Sequence, residues 1–193
     1  MPDDIATPII LTTIGAVIGL AAKAFYDKLA MPTLKIETET YPVLLPDFPL
    51  DPSSVGSPPP PHLKVYESLL AYRVRIRNKQ KKLLDSAAEN CIAWLELDQT
   101  KEPLQISWVG GHADVIINVG DYRELDFCAL ATSHGIVFAP TEIGYSDRPR
   151  RIGRVGTSIH GTLRVTSSNG KRAERRFMID TGGSQGGLRI EFE

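Results

Sequence analysis

Residues 5–22 read IATPIILTTIGAVIGLAA, with no Asp, Glu, Lys, Arg or His among them. A helix over that run is roughly 27 Å long at about 1.5 Å per residue, close to the ~30 Å hydrocarbon core of a bilayer. Lys23, Phe25, Tyr26 and Lys28 follow at once, where an interfacial aromatic and basic belt would lie. The run is therefore expected to be a single membrane anchor, built on Ile9, Ile10, Leu11, Ile14, Gly15, Val17, Ile18, Gly19 and Leu20. Two other readings compete. A secretory signal peptide has a basic leading segment, whereas this chain opens Met1-Pro2-Asp3-Asp4 with no Lys or Arg before Lys23. A helix packed inside a soluble domain or against a partner is the other, because three threonines and two glycines dilute the apolar character.

Lys23, Lys28 and Lys35 flank the C-terminal side of the run, and Asp3 and Asp4 the other side. The positive-inside rule then places the larger C-terminal part in the cytoplasm, with the protein single-pass in the cell membrane. Gly15 and Gly19 form a small-xxx-small pair through which two such helices could pack as a homo-oligomer.

Eight of the fourteen prolines fall within residues 41–62, ending in Pro58 to Pro61. Proline fixes φ and removes a backbone donor, so neither a helix nor a central strand is expected there. A semi-rigid polyproline spacer is one reading. An ordered loop against the domain is the other, since Leu34 to Glu39 alternates apolar and polar as a first strand would. The chain thus divides into an anchor helix (1–31), a strand plus Pro-rich linker (32–62) and a β-domain (63–193).

Past residue 69 the apolar period is two. Tyr72, Val74 and Ile76 take one face of a strand and Arg73, Arg75 and Arg77 the other. Leu95 and Leu97 face inward on another, with Trp94, Glu96 and Asp98 outward; were these two strands neighbours, the basic and acidic rows would complement each other. Further strands are expected at 105–109, 114–119, 124–130, 136–139, 157–167, 175–180 and 187–192, separated by Gly-rich turns. The predicted fold is all-β, an antiparallel sandwich of 7–9 strands preceded by one helix. Around Asn169-Gly170, only pairing positions that sum to 338 or 340 bring Leu163 and Val165 to the same face as Phe177 and Ile179. That predicts a three-residue loop with Gly170 in the left-handed region, or a nearby bulge.

The stretch YRVRIRNKQKKLLDSAAENCIAWLELD, with VIINVGDYRELDF and LRVTSSNGKRAERRFMID, resembles immunoglobulin-like modules of the CARDB and fibronectin III type. Asn78 at a strand end, Ala87-Ala88-Glu89-Asn90 leading into the next, and Gly120-Asp121 carry the likeness, over about residues 69–180. The usual Gly after Asn is replaced by Lys79-Gln80-Lys81-Lys82. The resemblance implies an immunoglobulin-like sandwich with a binding or spacer role, and no catalytic residue.

Chemistry is sparse. The two cysteines cannot make a closed zinc site, which needs about four ligands at short spacing. Parity turns Cys91 inward and Cys128 away from the face of Leu125 and Phe127, unless a bulge intervenes, so free buried thiols are expected. His62, His112, His134 and His160 have no ligand spacing, so neither a metal nor another cofactor is expected. Ser133-His134 and Ser158/His160 lack the setting of a nucleophilic triad. Glu124 and Asp126 share a strand face expected to be solvated. No enzyme constellation emerges.

The formal charge is −1, which points to no dedicated nucleic-acid role. Locally, Arg148, Arg150, Arg151 and Arg154, with Lys171, Arg172, Arg175 and Arg176, form the candidate anion-binding set. Anionic lipid suits it better than nucleic acid, since aromatics for base stacking are missing. The expectation is a membrane-anchored, non-catalytic binding or assembly module with an unidentified protein partner, or else a peripheral or oligomeric protein whose helix packs on another chain.

Overall fold

The computed structural model describes the backbone of residues 3–50, 65–79, 86–100, 102–140, 150–182 and 187–193. It describes side chains throughout these ranges except at 3–14, 46–50 and 65–67. Helix α1, Asp3–Ala30, is followed by eleven strands among the described residues. The helix stops two residues before Pro32, because the residue preceding a proline is pushed out of the α region. Ser86 donates to the carbonyl of Ala30 through both its backbone N–H (3.2 Å) and its hydroxyl (2.6 Å). One of the carbonyls left open at a helix end is thereby satisfied.

The strands are β1 (Leu34–Leu50), β2 (Val65–Asn78), β3 (Ala88–Leu97), β4 (Leu104–Ile106), β5 (Val115–Ile117), β6 (Tyr122–Ala131), β7 (Ile136–Ala139), β8 (Arg150–Arg154), β9 (Ser158–Thr166), β10 (Ala173–Asp180) and β11 (Arg189–Phe192). They form two antiparallel sheets, ordered β1-β2-β6-β7-β8 and β11-β10-β9-β3-β4, with β5 paired to β3. The all-β expectation holds. The main core lies between the sheets and joins Tyr72, Val74 and Ile76 of one to Leu95, Leu163, Val165, Phe177 and Ile179 of the other. Phe127 meets Phe177 edge-on at 4.9 Å between centroids, with Phe192 beside both; aromatic rings favour such tilted contacts.

A second cluster sits on the opposite face of the first sheet: Leu69, Ala71, Ala129, Ala131, Ile136 and Phe138. The two clusters make β6 buried on both faces from Leu125 onward, which simple alternation does not anticipate. A bulge between Tyr72 and Arg73 in the β2–β6 ladder skips Phe127, pairing Tyr72 with Cys128 and Arg73 with Asp126. An extra residue reverses parity beyond it. Cys128 therefore joins Cys91 in the inter-sheet core, which corrects the parity argument that turned it away. Both thiols are free and buried.

The prolines find their place at a sheet margin. Pro42, Pro46 and Pro49 lie within β1, an edge strand whose one neighbour is β2. An edge strand has an outward side where a missing N–H costs no ladder bond. The strand expected at Leu34 to Glu39 thus runs on to Leu50, while residues 51–64 lie outside the described ones. A further strand, β8, carries Arg150, Arg151 and Arg154 of the candidate anion-binding set.

Around Asn169-Gly170 the register is Leu163↔Arg175 and Val165↔Ala173, sums of 338, as the face argument requires. The loop is wider than three residues, however, since the β9–β10 ladder stops at Val165↔Ala173. Nor is Gly170 among the positive-φ glycines. A Cβ there would lie 2.6 Å from Pro32 Cγ and 2.6 Å from Ser167 Oγ. Close approach of the helix exit, not backbone handedness, requires glycine.

Candidate functional site

Charge on the outer faces resolves into ladders. On the first sheet Arg73 meets Asp126 at 3.0 Å, Arg75 meets Glu124 at 3.4 Å and Arg77 meets Glu37 at 2.8 Å. The Arg75 guanidinium also lies over Tyr41 (5.2 Å) and Tyr122 (4.8 Å), and that of Arg77 over Tyr122 at 5.3 Å, distances at which cation–π attraction acts. On the second sheet Glu96 meets Arg164 at 2.7 Å and Asp98 meets Arg176 at 2.9 Å. The arginine row and the Glu96/Asp98 row therefore belong to different sheets, each neutralised by its own neighbours. The condition for pairing between them, that β2 and β3 be neighbours, is not met, because β2 lies between β1 and β6 while β3 lies in the other sheet.

Glu124 and Asp126 are not merely solvated, as parity alone suggested. Asp126 is 6 % exposed; burial pushes its carboxyl up, and the Arg73 guanidinium opposes that shift. Tyr41 is pushed up to about 12, by burial first and then by the Glu124 carboxylate beside it. Among the described residues no hydrogen-bond geometry links the Tyr41 hydroxyl to a partner, so proximity to negative charge accompanies the burial effect. Burial pushes Cys91 up to about 11 and Cys128 up more strongly. At neutral pH both are thiols and poor nucleophiles.

Beside the first ladder, between β5 and the start of β6, lies a cleft of about 820 Å³. Its floor is Trp108, 1 % exposed, whose indole N–H donates to the Cys91 carbonyl at 2.9 Å. Asn90, His112, Asp114, Arg123 and Glu124 supply polar rim atoms, with Ile116 and Tyr122 as apolar shelves. Asn90 has φ of 48° at the bulge where β3 leaves Ala88, a conformation Asn tolerates better than most residues. Gly110 and Gly111, at φ of 95° and 77°, turn the chain so that His112 comes back over Gly110. Mixed charge with apolar shelves suits non-covalent binding. Parity flagged Glu124 alone; the convergence of β3, β5 and β6 that makes the cleft is tertiary. Among the described residues no group of three His, Cys, Asp or Glu is placed to hold a metal. His62 lies outside them, and His112, His134 and His160 are exposed.

The eight basic candidates are not gathered into one patch. Arg148 lies outside the described residues. Arg150, Arg151 and Arg154 are exposed on β8, an edge strand, where charge discourages edge-to-edge pairing. Lys171 and Arg172 occupy the β9–β10 turn, and Arg175 and Arg176 lie on β10. Arg172 meets Glu174 at 3.3 Å, Arg176 meets Asp98, and Arg175 donates to the Glu193 carbonyl. Arg154 is at the other end of the β9–β10 hairpin from Lys171: its carbonyl accepts from Thr157 and Thr181, next to the Ser158↔Asp180 pair.

Of the anchor candidates, the side chains of Ile9, Ile10, Leu11 and Ile14 lie outside the described ones. Gly15, Val17, Ile18, Gly19 and Leu20 are all exposed, as is every side chain from 15 to 28. Val17 is 60 %, Leu20 69 % and Phe25 65 % exposed, and a Cβ on Gly15 or Gly19 would meet nothing within 4 Å. Among the described residues no helix is long and apolar enough to cross a membrane. No family model, curated protein or solved structure matches the chain.

Proposed function

We propose that this protein is a non-catalytic binding or assembly module held at a membrane by its N-terminal helix. One observation carries the reading. Residues 15–28 form a helix exposed on every side, with Val17, Ile18, Leu20, Phe25 and Tyr26 uncovered by the rest of the chain. A helix apolar all round requires lipid or another protein around it, and the uncharged run continues back to Ile5. Lys23, Lys28 and Lys35 favour a single-pass orientation with the sandwich on the cytoplasmic side.

The sandwich is read as an immunoglobulin-like display module. In support, β2 pairs with β6 in one sheet and β3 with β9 in the other, and β9–β10 is a hairpin joining the second sheet. Asn78, which carried the resemblance, ties strand ends together by donating to the Ser86 and Ile117 carbonyls. The cleft over Trp108 offers mixed polar and apolar chemistry to a ligand or protein partner.

Carbonate extraction of cell membranes, followed by protease treatment of intact cells, tests the reading on a C-terminally tagged chain. A carbonate-resistant, protease-protected tag is the expected result. Release by carbonate in a defined oligomer would replace the lipid by a second chain along Gly15 and Gly19, and a protein both soluble and monomeric would overturn the reading.

A further inference from the structure

The helix is locked to one end of the sandwich. Ala30 accepts two hydrogen bonds from Ser86. The Thr33 carbonyl accepts from the Lys79 N–H at 2.9 Å, and Thr33 bridges Lys171 in parallel. Pro32 is buried against the position where Gly170 lacks a side chain. Whatever surrounds the helix therefore lies at a fixed distance from the β9–β10 turn and from the connection that follows β2.

That distance is short. Ala30 lies eight positions beyond Ala22, the last of the uncharged run, about 12 Å along the helix. The headgroup layer on each side of a bilayer is roughly 5–7 Å thick, and charge reaches about 8 Å further at physiological salt. The end of the sandwich thus stands within electrostatic reach of the headgroups. It carries exposed Lys171 and Arg172 in the turn, with Lys23, Lys28, Lys35 and Lys79 around the helix exit. Asp27, Glu89 and Asp121 oppose them, and Glu174 pairs with Arg172, leaving a basic excess among the described residues. Arg150, Arg151 and Arg154 are elsewhere. The β9 strand from Thr166 to Ser158 separates the turn from the Arg154 end, roughly 26 Å at about 3.3 Å per residue.

We propose that this end of the sandwich is a headgroup-binding surface, on which Lys171 and Arg172 contact the phosphates of anionic phospholipids. The proposal rests on the membrane reading of the helix. It separates Lys171 and Arg172, which face the membrane, from Arg150, Arg151 and Arg154 on the remote edge strand.

Co-flotation of the purified full chain with vesicles, at increasing lipid, tests both steps. The chain is mixed with pure phosphatidylcholine vesicles or with vesicles containing about a third phosphatidylserine. Flotation with both is expected, at lower lipid for the anionic set. Lys171→Gln with Arg172→Gln is expected to reduce the anionic preference about fivefold for each residue neutralised while leaving flotation with neutral vesicles unchanged. Arg150→Gln, Arg151→Gln and Arg154→Gln together are expected to keep the preference. All these side chains are exposed, so an unchanged circular dichroism spectrum and melt verify folding. Equal flotation on both lipids would overturn the headgroup surface and leave the helix reading standing. Loss of preference in the trio alone would move the surface to β8 and overturn the assignment. Failure to float on either lipid would overturn both readings.

Discussion

Tyr72 shows how one polar atom can hold a strand. Its ring is in the inter-sheet core, and its hydroxyl accepts the Leu188 N–H at 2.6 Å, pinning the chain just before β11 to the opposite sheet. Tyr72→Phe keeps the ring and leaves a buried N–H without a partner, at about 1–3 kcal/mol; a urea midpoint measures it, and hydrogen exchange should place the loss at β11. Asp126 gives a pH test of opposite sense to an ordinary paired carboxylate. Its folded carboxyl is raised by burial in spite of Arg73, so the folded state holds the proton more tightly than the unfolded chain. Its contribution is therefore most favourable in acid and is lost as pH rises from the ordinary carboxylate value through the raised one. Urea midpoints of the native chain relative to Asp126→Asn should accordingly rise as pH falls across that window. Tyr41, pushed up to about 12, should titrate late, and Tyr41→Phe should remove a late component from the phenolate absorbance titration. Sequence parity put Asp126 with Glu124 on one strand face, expected to be solvated. It could not find the burial that raises the carboxyl, because burial depends on what the sheet packs against.

At the scale of elements, the alternation of apolar residues located nearly every strand, since a half-buried strand must repeat at two. It misread a face where a strand is buried on both sides and carries a bulge, as β6 does, and missed the strand where arginines fill an edge, as in β8. The β9–β10 hairpin separates two kinds of information. Its register follows from the faces of Leu163, Val165, Phe177 and Ile179, all in sequence. Its turn does not, because Asn169 serves other elements: its amide donates to the Ala87 carbonyl and its carbonyl accepts the Glu89 N–H. Gly170 is small because Pro32 lies against it. Gly170→Ala should therefore destabilise by about 1–3 kcal/mol through overpacking. Pro32→Ala should recover part of that in a double-mutant cycle, whereas a penalty from backbone handedness would not be recovered. Gly161→Ala should cost at least as much, since its Cβ would collide with the Glu96 carbonyl and lie 2.8 Å from Phe177 Cζ; thermal unfolding measures both.

Across the whole molecule, burial and exposure divide sharply at residue 29. The sandwich encloses its own core, and helix side chains 15–28 add nothing to it. A chain lacking residues 1–28 should therefore keep its strand circular dichroism and unfold within about 1 kcal/mol of the full chain, while losing its binding to phosphatidylcholine vesicles. Composition and periodicity alone determined the class: an uncharged helical run, a Pro-rich stretch and a period-two remainder specify one helix and an all-β domain. These are local properties, fixed by backbone sterics and by the need to hide alternate side chains. Only the tertiary structure decided which strands are neighbours, and with them the partners of the arginine row. It also decided that β1 continues through its prolines at an edge, that a bulge turns Cys128 into the core, and that Lys171 and Arg172 lie at the other end of the β9–β10 hairpin from Arg154. Each of these depends on contacts between residues tens of positions apart, whose energies no local pattern encodes.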